Sequence, residues 1–283
     1  MDYASLESIS FTITFLAYMA ASFLYLVYLV QKNEKLGDIS TAITGIGFVA
    51  NTAVLIFRTL VAGRPPFTSG YEFLMCFTWG IVIAYLFAEW KYKMKVIGAF
   101  VLPVAWLLVA YIAVIMPPEQ RAAQEYLMPA LQSNWLHIHV ITAMFSYGAF
   151  AISLGTSIMY LIKESLEKGR SRGDLINRLP SLEVLDDLSY KFIAFGFPLL
   201  SVVIISGAIW AEYAWGRYWS WDPKETWSLI TWLVYAAYLH ARFTYGWRGS
   251  RAAIMSIVGF LFVLFTFFGV NYFLPGIHSY GGG

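Results

Sequence analysis

Long apolar runs recur along the chain, and polar residues collect in short segments between them. A helix that crosses a membrane needs about 20 mostly apolar residues. Eight runs come close to that length: residues 9–31, 38–62, 72–90, 95–116, 136–162, 188–210, 227–246 and 252–273. The pattern predicts an all-α, polytopic integral membrane bundle of about eight transmembrane helices, formed as a single membrane domain over residues 1–283.

The composition agrees with a membrane protein. Hydrophobic residues make up 59% of the chain and charged residues 13%, and the mean hydropathy is +0.63. A soluble domain carries roughly 25% charged residues. The net charge of +2 gives no reason to expect a nucleic-acid partner. The single cysteine, Cys76, excludes both an internal disulfide and a Cys-x-x-Cys redox pair.

Lysine and arginine set the expected orientation, since they are in excess on the cytoplasmic side of a membrane protein. Every second connection between the predicted helices lies on the same side, and the connections on one side hold most of these residues: Lys32, Lys35, Lys91, Lys93, Lys95, Lys163, Lys168, Arg170, Arg172, Arg178, Lys191, Arg242, Arg248 and Arg251. The opposite connections hold only Arg64, Arg121, Arg217 and Lys224. We therefore expect a cytoplasmic basic loop at 164–187 and both termini on the outer, periplasmic or equivalent, side.

The segment "WGRYWSWDPKETW" then lies outside, between the sixth and seventh predicted helices. Membrane interfaces are enriched in tryptophan, but six of the 11 tryptophans fall between Trp210 and Trp232. A general interfacial belt would spread them over all helix ends. The density therefore favours an external loop, 211–227, that forms a surface for a flat ligand. Within it, "DPKE" predicts a helix start with Asp222 at the N-cap and Glu225 closing a capping box.

The four histidines fall in two groups. His137 and His139 lie at the outer mouth of the fifth predicted helix, and His278 follows the outer end of the eighth. His240 lies within the membrane, where an ionisable side chain indicates either a functional group or a neutral histidine bonded to another helix. A zinc site needs three or four ligands. Haem iron needs only two axial imidazoles, so the outer histidines and the tryptophans favour haem.

The stretch "WGRYWSWDPKETWSLITWLVYAAYLHAR" resembles the WWD signature of the haem-handling proteins of cytochrome c maturation, the CcsA/CcmC/CcmF family. The stretches "GRPPFTSGYE", "SNWLHIHV", "LPSLEVLDDLSYKFIAFGFPLL" and "GIHSY" resemble the CcsA (ResC) branch, a subunit of the System II cytochrome c synthetase. The resemblance extends from about Gly63 onward.

The resemblance implies that haem b is conveyed across the membrane and held outside between two axial histidines, His139 and His278. His139 is selected over His137 because the family's ligand precedes a valine, and residues two apart face nearly opposite sides of a helix. His137 is then a spectator. His240 matches the family's histidine within the membrane, which serves a second haem position reached from the cytoplasm.

The predicted haem-contacting residues of the WWD surface and its surroundings are Trp215, Trp219, Trp221, Asp222, Trp227, Arg217, Lys224 and Arg58. The last three are candidates for the haem carboxylates. The implied partners are a CcsB/ResB-like membrane subunit and apocytochrome c with a Cys-x-x-Cys-His segment. The implied location is the cell inner membrane, and the implied activity is that of a subunit of holocytochrome c synthase, with no residue acting as a covalent catalyst.

Three alternatives stay open on the sequence. A CcmC-like protein would use the same external site but deliver haem to a chaperone. A haem exporter would lack the bond-forming step. A transporter of another class would use its aromatic residues only to anchor itself in the bilayer.

Overall fold

The computed structural model describes residues 2–31, 33–123, 127–169 and 175–274, without the side chains at 175, 271 and 272. The predicted ligand His278 lies outside the described residues, as do Lys32, Arg170 and Arg172 of the predicted basic side.

The described residues form eight long helices. They are α1 Tyr3–Gln31, α2 Glu34–Ala62, α3 Gly70–Tyr92, α4 Gly98–Val114, α5 Asn134–Lys168, α6 Leu182–Trp215, α7 Pro223–Tyr245 and α8 Ser250–Leu264. Single turns of helix occur at Lys95–Ile97, Pro118–Arg121, Pro129–Gln132 and Leu175–Arg178. The α8 helix continues through a π-helical turn, Phe265–Gly269, into Val270–Phe273. Since the described part contains no strand, the predicted all-α class is confirmed.

Within the described ranges, seven helical segments are long and apolar enough to cross a membrane: α1, α2, α3, Lys95–Val114, α5, α6 and Ser250–Gly269. The protein is therefore a multi-pass membrane protein. The seventh predicted span, 227–246, forms α7, which is less apolar because it carries charged residues, hydroxyls and a histidine along its length. The side of the membrane on which the termini lie stays a prediction.

Helices α5 and α6 extend well beyond the predicted spans, with 35 and 34 residues. The predicted loop 164–187 therefore begins inside α5 and ends inside α6. The predicted loop 211–227 likewise includes the end of α6 and the start of α7, so the connection itself runs from Gly216 to Asp222. Gly216 ends α6 because its φ of 71° is in the left-handed region that glycine adopts without a Cβ clash.

Helices α3 and α5 cross in close contact at two glycines. A Cβ on Gly148 would lie 2.3 Å from the carbonyl oxygen of Gly80, and one on Gly80 would lie 2.3 Å from that of Met144. Small residues permit such close backbone approach between membrane helices. This crossing places α3 beside α5, and residues of both helices line the cavity described next together with residues of α6.

Candidate functional site

A cavity of about 210 Å³ lies among α3, α5, α6, the loop that follows α6, the start of α7 and the π-helical turn that follows α8. Most of its lining is apolar or aromatic, with a histidine, a lysine and a glutamate among the polar groups. The lining residues are Gly70, Phe73, Cys76, Phe77, Leu136, His139, Val140, Ala143, Met144, Tyr147, Val203, Ile204, Gly207, Ala208, Trp210, Tyr218, Trp219, Lys224, Glu225, Ser228, Thr266 and Phe267.

His139 enters the cavity from the first turns of α5, and a backbone oxygen of α6 orients its ring. The Nδ1 atom lies 2.9 Å from the carbonyl oxygen of Val203. Since a carbonyl oxygen only accepts hydrogen bonds, Nδ1 carries the proton and donates it. In a neutral imidazole the lone pair is then on Nε2. The indole of Trp210 packs against the imidazole, with 6.0 Å between ring centroids.

His137 faces a different part of the structure. Its ring packs against Phe67, with 5.6 Å between centroids, and it is absent from the residues that line the cavity. The two histidines thus point away from each other, as expected for positions two apart on a helix.

The loop between α6 and α7 contributes two aromatic side chains to the cavity, Tyr218 and Trp219. Tyr218 is 60% exposed and reaches from the cavity to the surface. Trp219 makes an edge contact with Trp221, at 5.7 Å and 89°. Trp221 is 69% exposed, and its φ of 58° is unusual for a residue with a side chain. One predicted tryptophan therefore lines the cavity and the next extends from it to the surface.

The predicted capping box at the start of α7 is confirmed. Asp222 is the N-cap, and its Oδ1 accepts a 3.0 Å hydrogen bond from the Lys224 amide. Glu225 Oε2 accepts hydrogen bonds from the amides of Asp222, at 3.1 Å, and Ser220, at 2.8 Å. Because those two amides flank Trp221, Glu225 holds its unusual backbone conformation in place.

Lys224 is the basic residue of the cavity lining. Burial disfavours its charged form and lowers its pKa from 10.5 to about 8, while the negative charge of Asp222 opposes the shift. The ammonium group therefore loses its proton around pH 8, and an acidic ligand in the cavity would favour its charged form.

Three other predicted residues of the WWD surface lie outside the cavity lining. Trp215 packs on Trp210, with 5.5 Å between centroids. Trp227 packs on Phe265, with 4.2 Å between centroids. Arg217 is exposed in the loop. The first two residues support neighbouring side chains of the site.

Arg58 belongs to a buried ionic cluster near one end of the bundle and is 3% exposed. Its Nε donates to Glu72 Oε1 at 2.9 Å, and its Nη1 lies 3.5 Å from Glu7 Oε1. Nη1 donates to the backbone carbonyl of Arg121, and Nη2 donates to that of Ala122, both at 2.9 Å. The guanidinium therefore joins α1, α2, α3 and a loop, and it is not part of the cavity lining.

His240 is exposed on the surface of α7. Its Nδ1 atom lies 3.5 Å from the hydroxyl of Thr244, and its ring contacts Tyr245. The helical rise puts it about 24 Å along α7 from Lys224. The predicted second site is thus far from the cavity and on the outside of the chain.

Several lining residues had no distinguishing signal in the sequence. Phe73, Phe77 and Tyr147 sit within continuous apolar runs, where residue type does not reveal which face meets a cavity. Gly207 has a specific role, because a Cβ there would lie 3.1 Å from two atoms of the His139 ring. Only the contact between α5 and α6 identifies it.

The donor set suits haem better than zinc. Among the described residues no group of three or more His, Cys, Asp and Glu side chains could hold a metal ion. An imidazole with its lone pair on Nε2, aromatic walls and a lysine match a flat macrocycle with carboxylates.

Comparison with known proteins gives one consistent family. The profile of the family described as cytochrome c assembly protein matches residues 67–278. The chain is 41% identical to "Cytochrome c biogenesis protein CcsA" of Guillardia theta, over 95% of this chain and 94% of the relative. It is 38% identical to the protein of that name from Synechococcus elongatus, over 99% of both. Gloeobacter violaceus has another such relative, 36% identical over 94% of both.

A solved structure named "Cytochrome c Heme Lyase CcmF" has the same fold, with a TM-score of 0.69 and 16% sequence identity. The match covers 94% of this chain and 47% of that protein, so this chain spans about half the length of CcmF.

Proposed function

The chain belongs to the family of cytochrome c assembly proteins, and on that premise we propose that it holds haem beside His139 and presents it for attachment to apocytochrome c. The general role is cytochrome c biogenesis in a membrane. Haem is the cargo of this reaction, and the chain's part is to bind, orient and cover it.

The main support for the proposal is the hydrogen bond from His139 to the Val203 carbonyl oxygen. Ligating histidines usually donate their second ring N–H to a carbonyl or carboxylate, which orients the ring and strengthens the ligand. His139 donates Nδ1–H in this way at 2.9 Å. Its Nε2 atom is therefore the proposed axial ligand of the haem iron.

The rest of the cavity supports a flat, apolar ligand. Phe73, Phe77, Trp210 and Trp219 supply aromatic walls. The volume of about 210 Å³ is below the ~300–1,000 Å³ of common ligand pockets. A macrocycle would therefore extend past exposed Tyr218 to the surface, where an incoming polypeptide could reach its edge.

The second axial ligand in this proposal is His278, which the family resemblance pairs with His139. Since residues 275–283 are outside the described part, this assignment rests on the resemblance.

Lys224 is the proposed partner of a haem carboxylate, because it lines the cavity beside Trp219. Arg217 is exposed in the loop and could contact a second carboxylate. Arg58 has its donors engaged by Glu72 and two backbone carbonyls, so we assign it to the stability of the bundle.

A CcsB/ResB-like subunit is the proposed partner. His240 supports this part, because an exposed histidine on a membrane helix suits a haem position completed by another chain. We propose the inner membrane as the location, with the His139 cavity on the periplasmic side.

The bond-forming step needs no nucleophile from this chain. Each thiol of a reduced Cys-x-x-Cys-His segment adds across a vinyl group, so that sulfur bonds to one carbon and a proton goes to the other. The chain accelerates this addition by holding both reactants in a reactive geometry.

The proposal is tested by purifying the chain after co-expression with its partner subunit. His139→Ala is expected to reduce the haem Soret band and abolish holocytochrome c, and added imidazole is expected to restore part of both. His137→Ala is the matched control and should behave as wild type. A His139→Ala protein that kept the wild-type spectrum and matured cytochrome c without imidazole would show that the ligand assignment is wrong.

A further inference from the structure

Two side chains of α5 donate hydrogen bonds to backbone oxygens of α6. Ser146 Oγ donates to the carbonyl of Gly196 at 2.9 Å, and His139 Nδ1 donates to that of Val203 at 2.9 Å. The donors are seven residues apart on α5 and the acceptors seven apart on α6, so the two bonds lie on one helix–helix face. The orientation of His139 is therefore coupled to the register of α5 against α6.

The Val203 oxygen lies within hydrogen-bond distance of more than one donor group. Ser206 Oγ lies 2.6 Å from the carbonyl oxygen of Val202 and 3.2 Å from that of Val203. Helical geometry also directs the Gly207 amide at the Val203 oxygen. A hydroxyl carries one proton, and the shorter contact of Ser206 is to Val202. Ser206 therefore competes with His139 for the Val203 oxygen in the rotamer that turns its proton from Val202 to Val203.

Gly207 is the residue that lets the ring approach. A Cβ at this position would lie 3.1 Å from both Cε1 and Nδ1 of His139. An alanine there would push the imidazole away by a few tenths of an ångström and weaken its bond to Val203. The α6 turn 203–207 thus supplies the acceptor, which is the Val203 oxygen, a competing donor, which is the Ser206 hydroxyl, and the space for the ring, which is left by Gly207.

We propose that the α6 turn Val203–Gly207 is the positioning element for His139, and that Ser206 and Gly207 set the strength of its Nδ1–H bond. This inference rests on the proposed function of His139 as an iron ligand. A stronger Nδ1–H bond makes Nε2 a stronger donor to iron. Stronger donation favours the ferric state and lowers the midpoint potential of a bound haem. Ser206 and Gly207 are positioning residues, since they act through His139.

The test uses the full chain in lipid nanodiscs with ¹⁵N-labelled histidine, without haem. With four histidines in the chain, His139→Gln identifies the His139 resonances. The wild-type spectrum is expected to show a protonated Nδ1 and an unprotonated Nε2. Ser206→Ala removes the competing hydroxyl, and Gly207→Ala crowds the ring. Ser206→Ala should shift the Nδ1 resonance towards stronger hydrogen bonding, and Gly207→Ala should shift it towards weaker hydrogen bonding.

The matched control is Gly45→Ala, also a glycine-to-alanine change within a helix, because a Cβ at Gly45 meets nothing within 4 Å. It should leave the spectrum unchanged. A protonated Nε2 in the wild type, or Nδ1 shifts of the same sign in Ser206→Ala and Gly207→Ala, would overturn the proposal. Ser206→Ala alone still decides the question if Gly207→Ala does not fold, since an unchanged Nδ1 resonance would also overturn it.

The same variants loaded with haem give a second readout. Gly207→Ala is expected to raise the midpoint potential and Ser206→Ala to lower it. If the tautomer and its shifts are as expected but His139→Ala still binds haem normally, the positioning element stands and the proposed ligand role fails. The two failures are therefore distinguishable.

Discussion

Raising the pH through about 8 should weaken the binding of any acidic ligand in the cavity, because Lys224 loses its positive charge. Burial lowers the pKa of this lysine from 10.5 to about 8, with the charge of Asp222 opposing. One pKa unit corresponds to about 1.4 kcal/mol. The charged form is thus disfavoured by about 3 kcal/mol, which a paired carboxylate can offset.

The size of the effect follows from the fraction of Lys224 that is protonated. A group with a pKa of about 8 is about 90% charged at pH 7 and about 10% charged at pH 9. If only the charged form pairs with a carboxylate, the affinity falls about tenfold between those values. Lys224→Arg stays charged throughout, since the arginine pKa is above about 12, so it should remove the dependence.

Deprotonation of Lys224 does not release ligand by unfolding the protein. Its pKa is lower in the folded chain than in the unfolded chain, so the unfolded chain binds more protons between pH 8 and 10.5. Stability therefore rises with pH in that window as far as Lys224 contributes. Ligand affinity and folding stability should change in opposite directions.

The assay is an absorbance titration of protoporphyrin iron into the haem-free protein in nanodiscs, from pH 7 to pH 9. The control ligand is the dimethyl ester, which lacks ionised carboxylates but keeps the iron and the ring. For the wild-type protein, the affinity for the diacid is expected to fall about tenfold from pH 7 to pH 9. The affinity for the ester should not fall, and Lys224→Gln should show no such fall with the diacid. The same loss for the ester, or the same loss in Lys224→Gln, would refute the reasoning.

Three further changes test the scaffold by thermal denaturation in detergent. Arg58→Met removes one partner of the buried ion pair with Glu72 and should cost about 3–5 kcal/mol; an unchanged melting temperature would contradict that role. Gly148→Ala places a Cβ 2.3 Å from the Gly80 oxygen and should separate α3 from α5, with loss of the monodisperse folded protein; a wild-type elution profile and melting temperature would count against it. Trp221→Gly removes the cost of a φ of 58° and should stabilise the fold by about 1 kcal/mol, so a lower melting temperature would show that its indole packs more strongly than its exposure suggests.

Local features of the fold were predictable because they depend on nearby residues. Apolar runs of sufficient length located the eight helices, since buried backbone groups in lipid must bond within their own segment. The "DPKE" sequence located the start of α7, because Asp222 and Glu225 satisfy amides within the same turn. Helical periodicity separated His137 from His139 without any tertiary information.

The site was only partly predictable. The WWD motif lies in a loop that contributes Tyr218 and Trp219 to the cavity lining, but the structure distributes its tryptophans among cavity, surface and packing roles. Trp219 lines the cavity, whereas Trp227 packs on Phe265. Arg58 illustrates the same difficulty, because its partners come from residues 7, 72, 121 and 122. Nothing near Arg58 in the chain indicates those contacts.

The sequence by itself determined the class of protein, the helical spans, the cap of α7 and the family, because each depends on composition, period or a contiguous motif. Only the tertiary structure decided which face of each helix meets the cavity. It also decided that an oxygen of α6 orients His139 and that Gly207 makes room for the ring. These features depend on the relative rotation and separation of two helices, which the packing of α5 on α6 sets through residues far apart in the chain.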